Sequence, residues 1–516
     1  MSFESNTTEQ LPLFDLPLQK ISVDQFITPQ GYKGLAAFHK YWGKKPVECI
    51  SFLTELLTLP NETVVDPFMG SGLVAREALL RNRSFIGIDV NPLAVELSLL
   101  QLDLPNPKQL LSAVKRIESK IGKQIAETYR LEDGRSATHY LWEGAELRSL
   151  WVMERGRAGR HEQNPSDFDR RIIEKYSDYQ LTNARALKIF QNSRINAQET
   201  FTWADLFTGR ARHNIDLLLA AINEEAEELR RALLLSLTSA AGQMSRMVFA
   251  ITGRGKTTGT PSTKVEVGSW VIGYWRPRLH FEISVWRCFE KRATGLAKAI
   301  SELTSPRSLP HHTSLVSLPT SRPTAIILKG DCRETLKTIP ENSVGLVLTD
   351  PPHSDRIPYL ELSEMWNALM NLEPLFAKEI VVSNARKRQK TKELYVEEMR
   401  EFLRNAVRVL QPGRFLALMF NARDAHSWEF LTNCMDHVEG FELCGSVPMV
   451  YSANSVVQDN RKGGLKADFV VLYRKSGIHK NPINLSICSA LPGWIPTLPE
   501  RVIVTSEEGE GLEQND

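Results

Sequence analysis

Apolar residues change their spacing several times along the chain, and these changes predict a mixed α/β fold. Val47 to Leu57 has apolar residues at helical spacing, and Thr63–Asp66 is a short apolar run typical of a buried strand. A second helix is predicted from Gly72 to Leu80, and a second strand from Phe85 to Asp89. Strand, loop, helix and strand at this spacing predict a βαβ unit with parallel strands.

The same alternation resumes near residue 324. The predicted elements there are strands Ala325 to Leu328, Val344 to Thr349, Arg414 to Phe420 and Ala467 to Arg474, with a helix from Val396 to Leu410. Neither half is large enough for a complete sheet of its own. We therefore predict one Rossmann-like, doubly wound, mostly parallel sheet that is interrupted by a large, mainly helical insertion.

This alternation also sets the predicted domain organisation. It comprises a flexible N-terminal tail at 1–20, the first half of the sheet domain at 21–105, the insertion at 106–322, the second half at 323–477 and a C-terminal tail at 478–516. The insertion is rich in arginine and helix formers, and Asn214 to Ala240 is its clearest helical stretch.

Composition narrows the class of protein. A net charge of +2 over 516 residues neither requires nor excludes nucleic acid, because local charge patches matter more than the total. No apolar run approaches the ~20 residues of a membrane span, and the N-terminus lacks the features of a secretory signal. Six scattered cysteines without a Cys-x-x-Cys pair predict reduced thiols in the cytoplasm and no structural metal site.

A glycine-containing loop, Asp-Pro-Phe-Met-Gly-Ser-Gly, runs from Asp66 to Gly72 directly after the first predicted strand. Glycines let the backbone approach a ligand, and an acidic residue about 20 positions later is suited to ribose hydroxyls. The loop lacks a spaced Lys-Ser/Thr, so we predict a nucleoside ligand without phosphates rather than an ordinary tight turn. The candidate binding residues are Asp66, Pro67, Phe68, Gly70, Ser71, Gly72, Asp89 and Asn91.

Several short motifs in a consistent order carry a family resemblance. Lys45-Pro46 precedes the glycine loop, Phe-Ile-Gly-Ile-Asp89 follows it, and Gly330-Asp331 precedes Thr349-Asp-Pro-Pro-His353. Over about 33–100 and 324–475 the chain resembles the S-adenosylmethionine (SAM)-dependent DNA amino-methyltransferases, whose Asp-Pro-Pro-Tyr signature differs here by one letter. The resemblance implies SAM as cofactor, Lys45 and Pro46 beside its methionine end, and Asp331 at its adenine ring.

The Asp-Pro-Pro sequence suits the activation of an exocyclic amine on a base. Such an amine is a poor nucleophile because its lone pair is delocalised into the ring. We predict that Asp350 accepts one N–H and that the Pro351 carbonyl accepts the other, with Pro352 keeping the backbone rigid. Carbon-5 methylation of cytosine needs a thiolate, usually in a Pro-Cys pair, and no cysteine here follows a proline.

His353 occupies the position where the resemblance implies an aromatic ring for an extruded base. An imidazole can stack with less area, or the change marks an inactive site. Tyr359, in Pro358-Tyr-Leu-Glu-Leu-Ser363, could return an aromatic ring to the pocket. Asp355 and Glu361 are further candidate proton acceptors, although ordinary exposed loop carboxylates are commoner.

Basic and aromatic residues of the insertion are candidates for nucleic-acid contacts. The predicted set is Arg254, Lys256, Lys264, Trp275, Arg276 and Arg278, with Arg155, Arg157 and Arg160 as a further arginine cluster. A polar loop at 454–466 could also touch the target strand. Each stretch taken singly is better explained as a solvated charged face or a partly buried aromatic cluster, whereas their grouping within one insertion favours a nucleic-acid role.

These observations predict a SAM-dependent enzyme that methylates an exocyclic amine of a flipped base in double-stranded DNA. Adenine N6 is favoured over cytosine N4, since relatives acting on cytosine more often have Ser before Pro-Pro. The resemblance further implies a bacterial restriction or phage-defence role, with a possible partner subunit. The alternatives are an RNA base methyltransferase and a DNA-binding subunit that has lost catalysis.

Overall fold

The computed structural model describes residues 32–153, 160–252, 265–271, 273–315, 322–353, 357–420, 431–435, 437–450, 467–485, 488, 491 and 493–498. The first segment alternates helices and strands as the apolar pattern predicts. Its elements are helices α1 (Gly34–Phe38), α2 (Val47–Leu57), α3 (Leu73–Leu80) and α4 (Pro92–Leu102), with strands β1 (Thr63–Asp66) and β2 (Ser84–Asp89).

The inserted region combines long helices with short strands. Its helices are α5 (Pro107–Thr128), α6 (Asp167–Lys175), α7 (Trp203–Leu206), α8 (Gly209–Asn223), α9 (Glu227–Met244) and α10 (Val285–Ser301). Its strands are β3 (Ala137–Glu143), β4 (Glu146–Met153), β5 (Arg160–Gln163), β6 (Val248–Ile251), β7 (Glu266–Trp270) and β8 (Leu279–Ile283). The helices outweigh the strands, as predicted.

The second segment completes the sheet domain. Its elements are β9 (His311–His312), β10 (Ala325–Lys329), α11 (Cys332–Lys337), β11 (Val344–Thr349), α12 (Tyr359–Leu369), α13 (Lys392–Val409), β12 (Leu410–Phe420), β13 (Phe441–Val450) and β14 (Ala467–Lys475). Single 3₁₀ turns lie at Phe376–Lys378 and Arg386–Arg388.

The main sheet is mostly parallel and is built from both segments. Among the described residues its eight strands lie in the order β13-β14-β12-β11-β1-β2-β10-β9, and only β14 runs antiparallel to its neighbours. Val65 of β1 pairs with Val347 of β11 in parallel register. Because parallel strands end at the same edge, Asp66, Asp89 and Asp350 are brought to one side of the sheet. The predicted Rossmann-like arrangement is confirmed.

A second, antiparallel sheet in the insertion was not predicted. Its six strands within the described residues follow the order β5-β4-β3-β8-β6-β7. The apolar core of the insertion also contains Leu97 of α4 and Trp366 of α12, together with Ile117 and Leu218. The insertion therefore packs as a continuation of the sheet domain rather than as a separate globule.

Three predictions need correction at the level of elements. The helical stretch Asn214 to Ala240 is two helices, since α8 ends at Asn223 and acidic residues favour a new helix start at Glu227. Strand β9 joins the main sheet although it falls inside the predicted 106–322 insertion. The described part of the predicted C-terminal tail packs against β13, where Ile495 and Ser446 exchange backbone hydrogen bonds of 2.9 and 2.8 Å.

Candidate functional site

A cavity of about 910 Å³, counting the space open to solvent, lies at the carboxyl edge of the main sheet. Residues from both separated segments line it. The predicted site residues on its wall are Lys45, Asp66, Pro67, Phe68, Gly70, Ser71, Asp89, Asn91, Asp350, Pro352 and Tyr359. Pro46, Gly72, Pro351 and His353 adjoin these residues in sequence but are not part of the wall. Asp331 is not part of the wall either, although it lies between the wall residues Gly330 and Cys332.

Asp66 ties the two central strands together at the cavity floor. Its Oδ1 accepts hydrogen bonds from Thr349 Oγ1 at 2.6 Å and from the Phe68 backbone N–H at 3.1 Å. Burial raises the pKa of Asp66 to about 7, against the lowering effect of these two donors. The side chain thus joins the end of β1 to the end of β11, the strand that leads to Asp350.

The glycine loop owes its shape to two left-handed residues. Gly70 has φ +56°, and its N–H donates to Asp89 Oδ2 at 2.9 Å. Gly72 has φ +75°, and a Cβ there would lie only 2.5 Å from the Cα of Ser98. The missing side chain lets α4 pack directly on the loop.

Asp89 and Asn91 form the wall beside this loop. The Asp89 carboxylate also accepts the Asn91 N–H at 2.8 Å, and burial raises the pKa of Asp89 to about 6. Asn91 accepts from Leu93 N–H and from Asn367 Nδ2 at 2.9 Å, and it donates to Ser363 at 2.9 Å. Its side chain therefore connects the start of α4 to α12 while it lines the cavity.

Asp331 caps α11 instead of facing the cavity. Arg333 donates to its two carboxylate oxygens at 2.9 and 2.7 Å. Its sequence neighbours Gly330 and Cys332 do line the cavity. The implied contact of Asp331 with an adenine ring stays a prediction.

Asp350 belongs to a buried charge cluster with one partner that the sequence did not reveal. Lys45 Nζ lies 2.7 Å from Asp350 Oδ2 and 2.7 Å from Asp468 Oδ2. Asp468 is the second residue of β14, and its run Ala-Asp-Phe-Val carries no recognisable motif. The pairing of β14 with β12 brings it close to the end of the neighbouring β11, which leads to Asp350.

Gly43 supplies the space above the Asp350 carboxylate. Its φ is +71°, and a Cβ there would lie 3.1 Å from Asp350 Oδ2 and 3.5 Å from the Tyr359 hydroxyl. The turn before Lys45 thus brings the backbone close to the two side chains that were predicted to handle the base.

The two candidate base-stacking rings lie in different places. Tyr359, the first residue of α12, lines the cavity. His353 Nε2 instead lies 3.2 Å from Asp350 Oδ1, and its ring packs edge-on against Phe420 at 4.8 Å. The Pro352 carbonyl accepts a hydrogen bond from Tyr395.

Glu361 is a structural residue rather than a proton acceptor. It is fully buried and paired with Arg388, which also pairs with Glu379 on the cavity wall. Burial raises the pKa of Glu379 to about 7. The second candidate acceptor, Asp355, lies outside the described residues.

The predicted nucleic-acid contacts are described only in part. Trp275 is 41% exposed, and the Arg278 side chain is 82% exposed at 3.0 Å from Glu143. Arg276 pairs with Asp205 at 2.7 Å. Arg254, Lys256, Lys264, Arg155, Arg157 and the 454–466 loop lie outside the described residues, as does the side chain of Arg160.

The part of the chain that the structure describes contains neither a metal site nor a membrane-spanning helix. Among the described residues, no three His, Cys, Asp or Glu side chains come together as possible metal ligands. None of the described helices is long and apolar enough to cross a membrane.

One family model matches the part of the chain that contains the glycine loop. Residues 19–99 match the family model described as DNA methylase, of the N6/N4 type. The resemblance to the DNA amino-methyltransferases is confirmed over this segment. The matched segment contains Lys45, the whole Asp66–Gly72 loop and Asp89, whereas Asp350 lies beyond it.

Solved structures add partial similarities. TTHA0409, a proposed DNA modification methylase from Thermus thermophilus, is 20% identical with a TM-score of 0.18, covering 30% of this chain and 55% of its own. Its complex with S-adenosyl-L-methionine gives 20% identity, a TM-score of 0.19 and coverages of 30% and 56%. The chain thus spans about half the length of these structures. No curated protein matches the chain.

Proposed function

We propose that the chain is a SAM-dependent DNA methyltransferase that modifies an exocyclic amine of a flipped base. The observation that carries the proposal is that the glycine loop and Asp350, 284 positions apart by their numbers 66 and 350, line one cavity. The DNA methylase match over residues 19–99 supports the same class of reaction.

The residues on the cavity wall fit SAM. Gly70 brings the backbone of the loop onto the cavity wall, Gly72 turns the chain into α3 beside it, and Asp89 presents a carboxylate of the kind that binds ribose hydroxyls. Apolar walls from Phe68, Met69 and Ile380 suit the adenine ring. Lys45 and Pro46 would adjoin the methionine end, and Asp331 the adenine end. When bound, SAM supplies a methyl group activated by a positively charged sulfur.

The chemistry that this chain must perform is to hold and activate the amine. Asp350 accepts an N–H of the base, which makes the nitrogen lone pair more available for bond formation. The Pro351 carbonyl accepts the second N–H. Pro352 is held by Tyr395, so the backbone that carries this carbonyl is fixed before the base arrives. The nitrogen loses one proton on methylation, and Asp350 is the acceptor beside it.

Tyr359 is the proposed stacking ring for the base, because of the two candidates, His353 and Tyr359, it is the one that lines the cavity. Trp275 and Arg278 of the insertion would contact the duplex. We favour adenine N6 over cytosine N4 because Asp, rather than Ser, precedes Pro-Pro. A place in restriction or phage defence, with a partner subunit, follows from the family alone.

Methylation-aware sequencing of DNA from cells that express the protein tests this proposal. A modified base at a defined sequence is expected with the wild type and is absent with Asp350→Ala. Binding of SAM without modification of DNA would favour an inactive DNA-binding subunit. Modified RNA with unmodified DNA would favour the RNA enzyme.

A further inference from the structure

Tyr274 of the insertion reaches into helix α12 of the sheet domain. Its side chain is buried, and its hydroxyl donates to the Glu361 carbonyl at 2.7 Å and accepts the Met365 N–H at 3.2 Å. In a regular α-helix this carbonyl and this N–H bond to each other, because they are four residues apart. The Tyr274 hydroxyl therefore bridges a backbone pair in the first turns of α12, the helix that begins at Tyr359.

The backbone at Tyr274 is held in an unfavourable conformation. Its φ is +59°, in the left-handed region that bulky residues rarely adopt. The preceding Gly273 has φ +103°, and its carbonyl accepts the Asn196 backbone N–H at 2.6 Å and Asn196 Nδ2 at 3.1 Å. Strained residues of this kind persist where their surroundings over-determine them, and they are frequent at functional sites. The contacts of this turn thus keep the Tyr274 side chain directed at α12.

The residues that follow Tyr274 belong to the predicted nucleic-acid contacts. Trp275 is 41% exposed, and the Arg278 side chain is 82% exposed. On the buried side, the Phe201 ring packs against the Tyr274 ring with their centroids 5.5 Å apart. One short stretch of chain thus joins a surface suited to DNA to a buried side chain that is fixed to the helix of Tyr359.

We propose that Tyr274 is a positioning residue which transmits binding of the target sequence at Trp275 and Arg278 to α12, and so to the Tyr359 ring that receives the flipped base. This inference rests on the proposed function. A duplex that displaces Trp275 also displaces Tyr274, because the two residues are adjacent in the chain. The Tyr274 hydroxyl carries this shift to the backbone of α12, whereas a phenyl ring in its place would leave only apolar contact between the two elements.

The test uses the full-length protein and two duplexes, one with the site mapped by sequencing and one with a single base changed beside the methylated base. Tyr274→Phe loses both hydrogen bonds of the hydroxyl and is expected to lower the single-turnover rate on the mapped site about tenfold. The rate on the altered site, and the affinities for SAM and for the duplex, should stay within about threefold of wild type. The ratio of the two rates should therefore fall.

Tyr140→Phe is the matched control. It removes a buried hydroxyl that donates to the Tyr129 carbonyl within the insertion, so it should leave the ratio of the two rates unchanged. Trp275→Ala is a second variant, at an exposed position where substitution has little effect on folding. Its ratio should also fall, and the double variant with Tyr274→Phe should lose no more than the larger single loss, because both residues act on one path.

An equal loss of rate on the two duplexes in Tyr274→Phe would indicate a merely structural role and would overturn the inference. An unchanged ratio, or additive losses in the double variant, would do the same. If Tyr274→Phe does not fold, an undiminished ratio in Trp275→Ala overturns the inference instead. A wild-type protein that methylates no DNA contradicts the proposed function itself, and the inference fails with it.

Discussion

His353 occupies the sequence position at which a stacking ring was expected, but Tyr359 is the residue of the two that lies on the cavity wall. The His353 imidazole is confined between Asp350 and Phe420. The two residues are therefore expected to have separable roles, since the Tyr359 ring lines the cavity whereas His353 is off its wall, with Nε2 3.2 Å from Asp350 Oδ1.

Substitution of the two rings should separate these roles. Tyr359→Ala is expected to slow single-turnover methylation of a duplex containing the mapped site by about tenfold or more, because stacking is worth roughly 1–3 kcal/mol per base. Tyr359→Phe keeps the ring and should change the rate less than about threefold. His353→Tyr adds a larger ring outside the cavity wall and should not compensate for Tyr359→Ala. Compensation in the double variant would assign stacking to His353.

Asp66 predicts a pH dependence of stability for the ligand-free protein. Its folded-state pKa of about 7 is above the ordinary value, so the folded protein binds more protons than the unfolded chain between about pH 4 and 7. Stability should therefore fall as pH rises through this range, by on the order of 1–3 kcal/mol from this residue. Thermal unfolding midpoints measured at about pH 5 and about pH 8 check the sign.

Asp66→Asn is the matched variant for that measurement, since an amide does not titrate. Its unfolding midpoint should depend less on pH than that of the wild type. Burial also raises the pKa of Asp89, so some dependence of the same sign should remain. A wild type that becomes more stable over this pH range, with Asp66→Asn unchanged, would contradict the assignment.

At the scale of elements, the turn from β1 into α3 depends on the absence of a side chain at Gly72. Gly72→Ala is expected to destabilise the protein by about 1–3 kcal/mol beyond the cost of its positive φ, because the Cβ would clash with the backbone of Ser98. Gly134→Ala is the control, since Gly134 has φ +82° and no atom within 4 Å of its added Cβ. Denaturant unfolding measures both variants.

Equal destabilisation in the two variants would show that the backbone conformation, and not the packing of α4 on the loop, sets the requirement for glycine. A greater loss in Gly72→Ala should be accompanied by weaker SAM binding. The reason is that the displaced loop also carries Gly70, whose N–H bonds to Asp89.

Among the described residues, the six inner strands of the main sheet could be predicted because they form apolar runs that are mostly buried, as in Val344–Thr349. The two edge strands, β9 and β13, were not predicted, and both are partly exposed. The strands of the insertion could not be predicted either. β5 is Arg-His-Glu-Gln, and β7 contains Gly and Ser, so neither shows an apolar run or a clear alternation. Such strands are specified by their neighbours in the folded sheet rather than by their own composition.

The same distinction applies to the candidate site. Asp66, Gly70 and Asp350 could be predicted because their motifs are local. Asp468 could not, since it belongs to the site only through its contact with Lys45, which is 423 positions away in the sequence. The position of the His353 ring likewise depends on Phe420, the last residue of β12, which is far away in the sequence.

At the scale of the whole molecule, the insertion and the sheet domain share one apolar core. Removal of residues 106–322 would expose the faces of α4 and α12 that pack against it, including Leu97 and Trp366. The shortened chain is expected to be insoluble or to lack fixed tertiary structure. Solubility and near-UV circular dichroism, with the full chain as control, provide the measurement. A soluble shortened protein that binds SAM would show instead that the insertion is dispensable for folding.

The segment from His39 to Lys45 contacts both parts of this molecule. His39 Nε2 bonds Thr238 of α9 at 3.0 Å, Trp42 stacks on Trp366 at 4.9 Å, and Lys45 reaches Asp350. If the insertion binds a duplex and Asp350 receives the base, as proposed, a shift of α9 would be transmitted through this short segment to Asp350. Recognition of the DNA sequence and methyl transfer would then be mechanically coupled through one stretch of chain. DNA with a different sequence would be released before a methyl group is transferred.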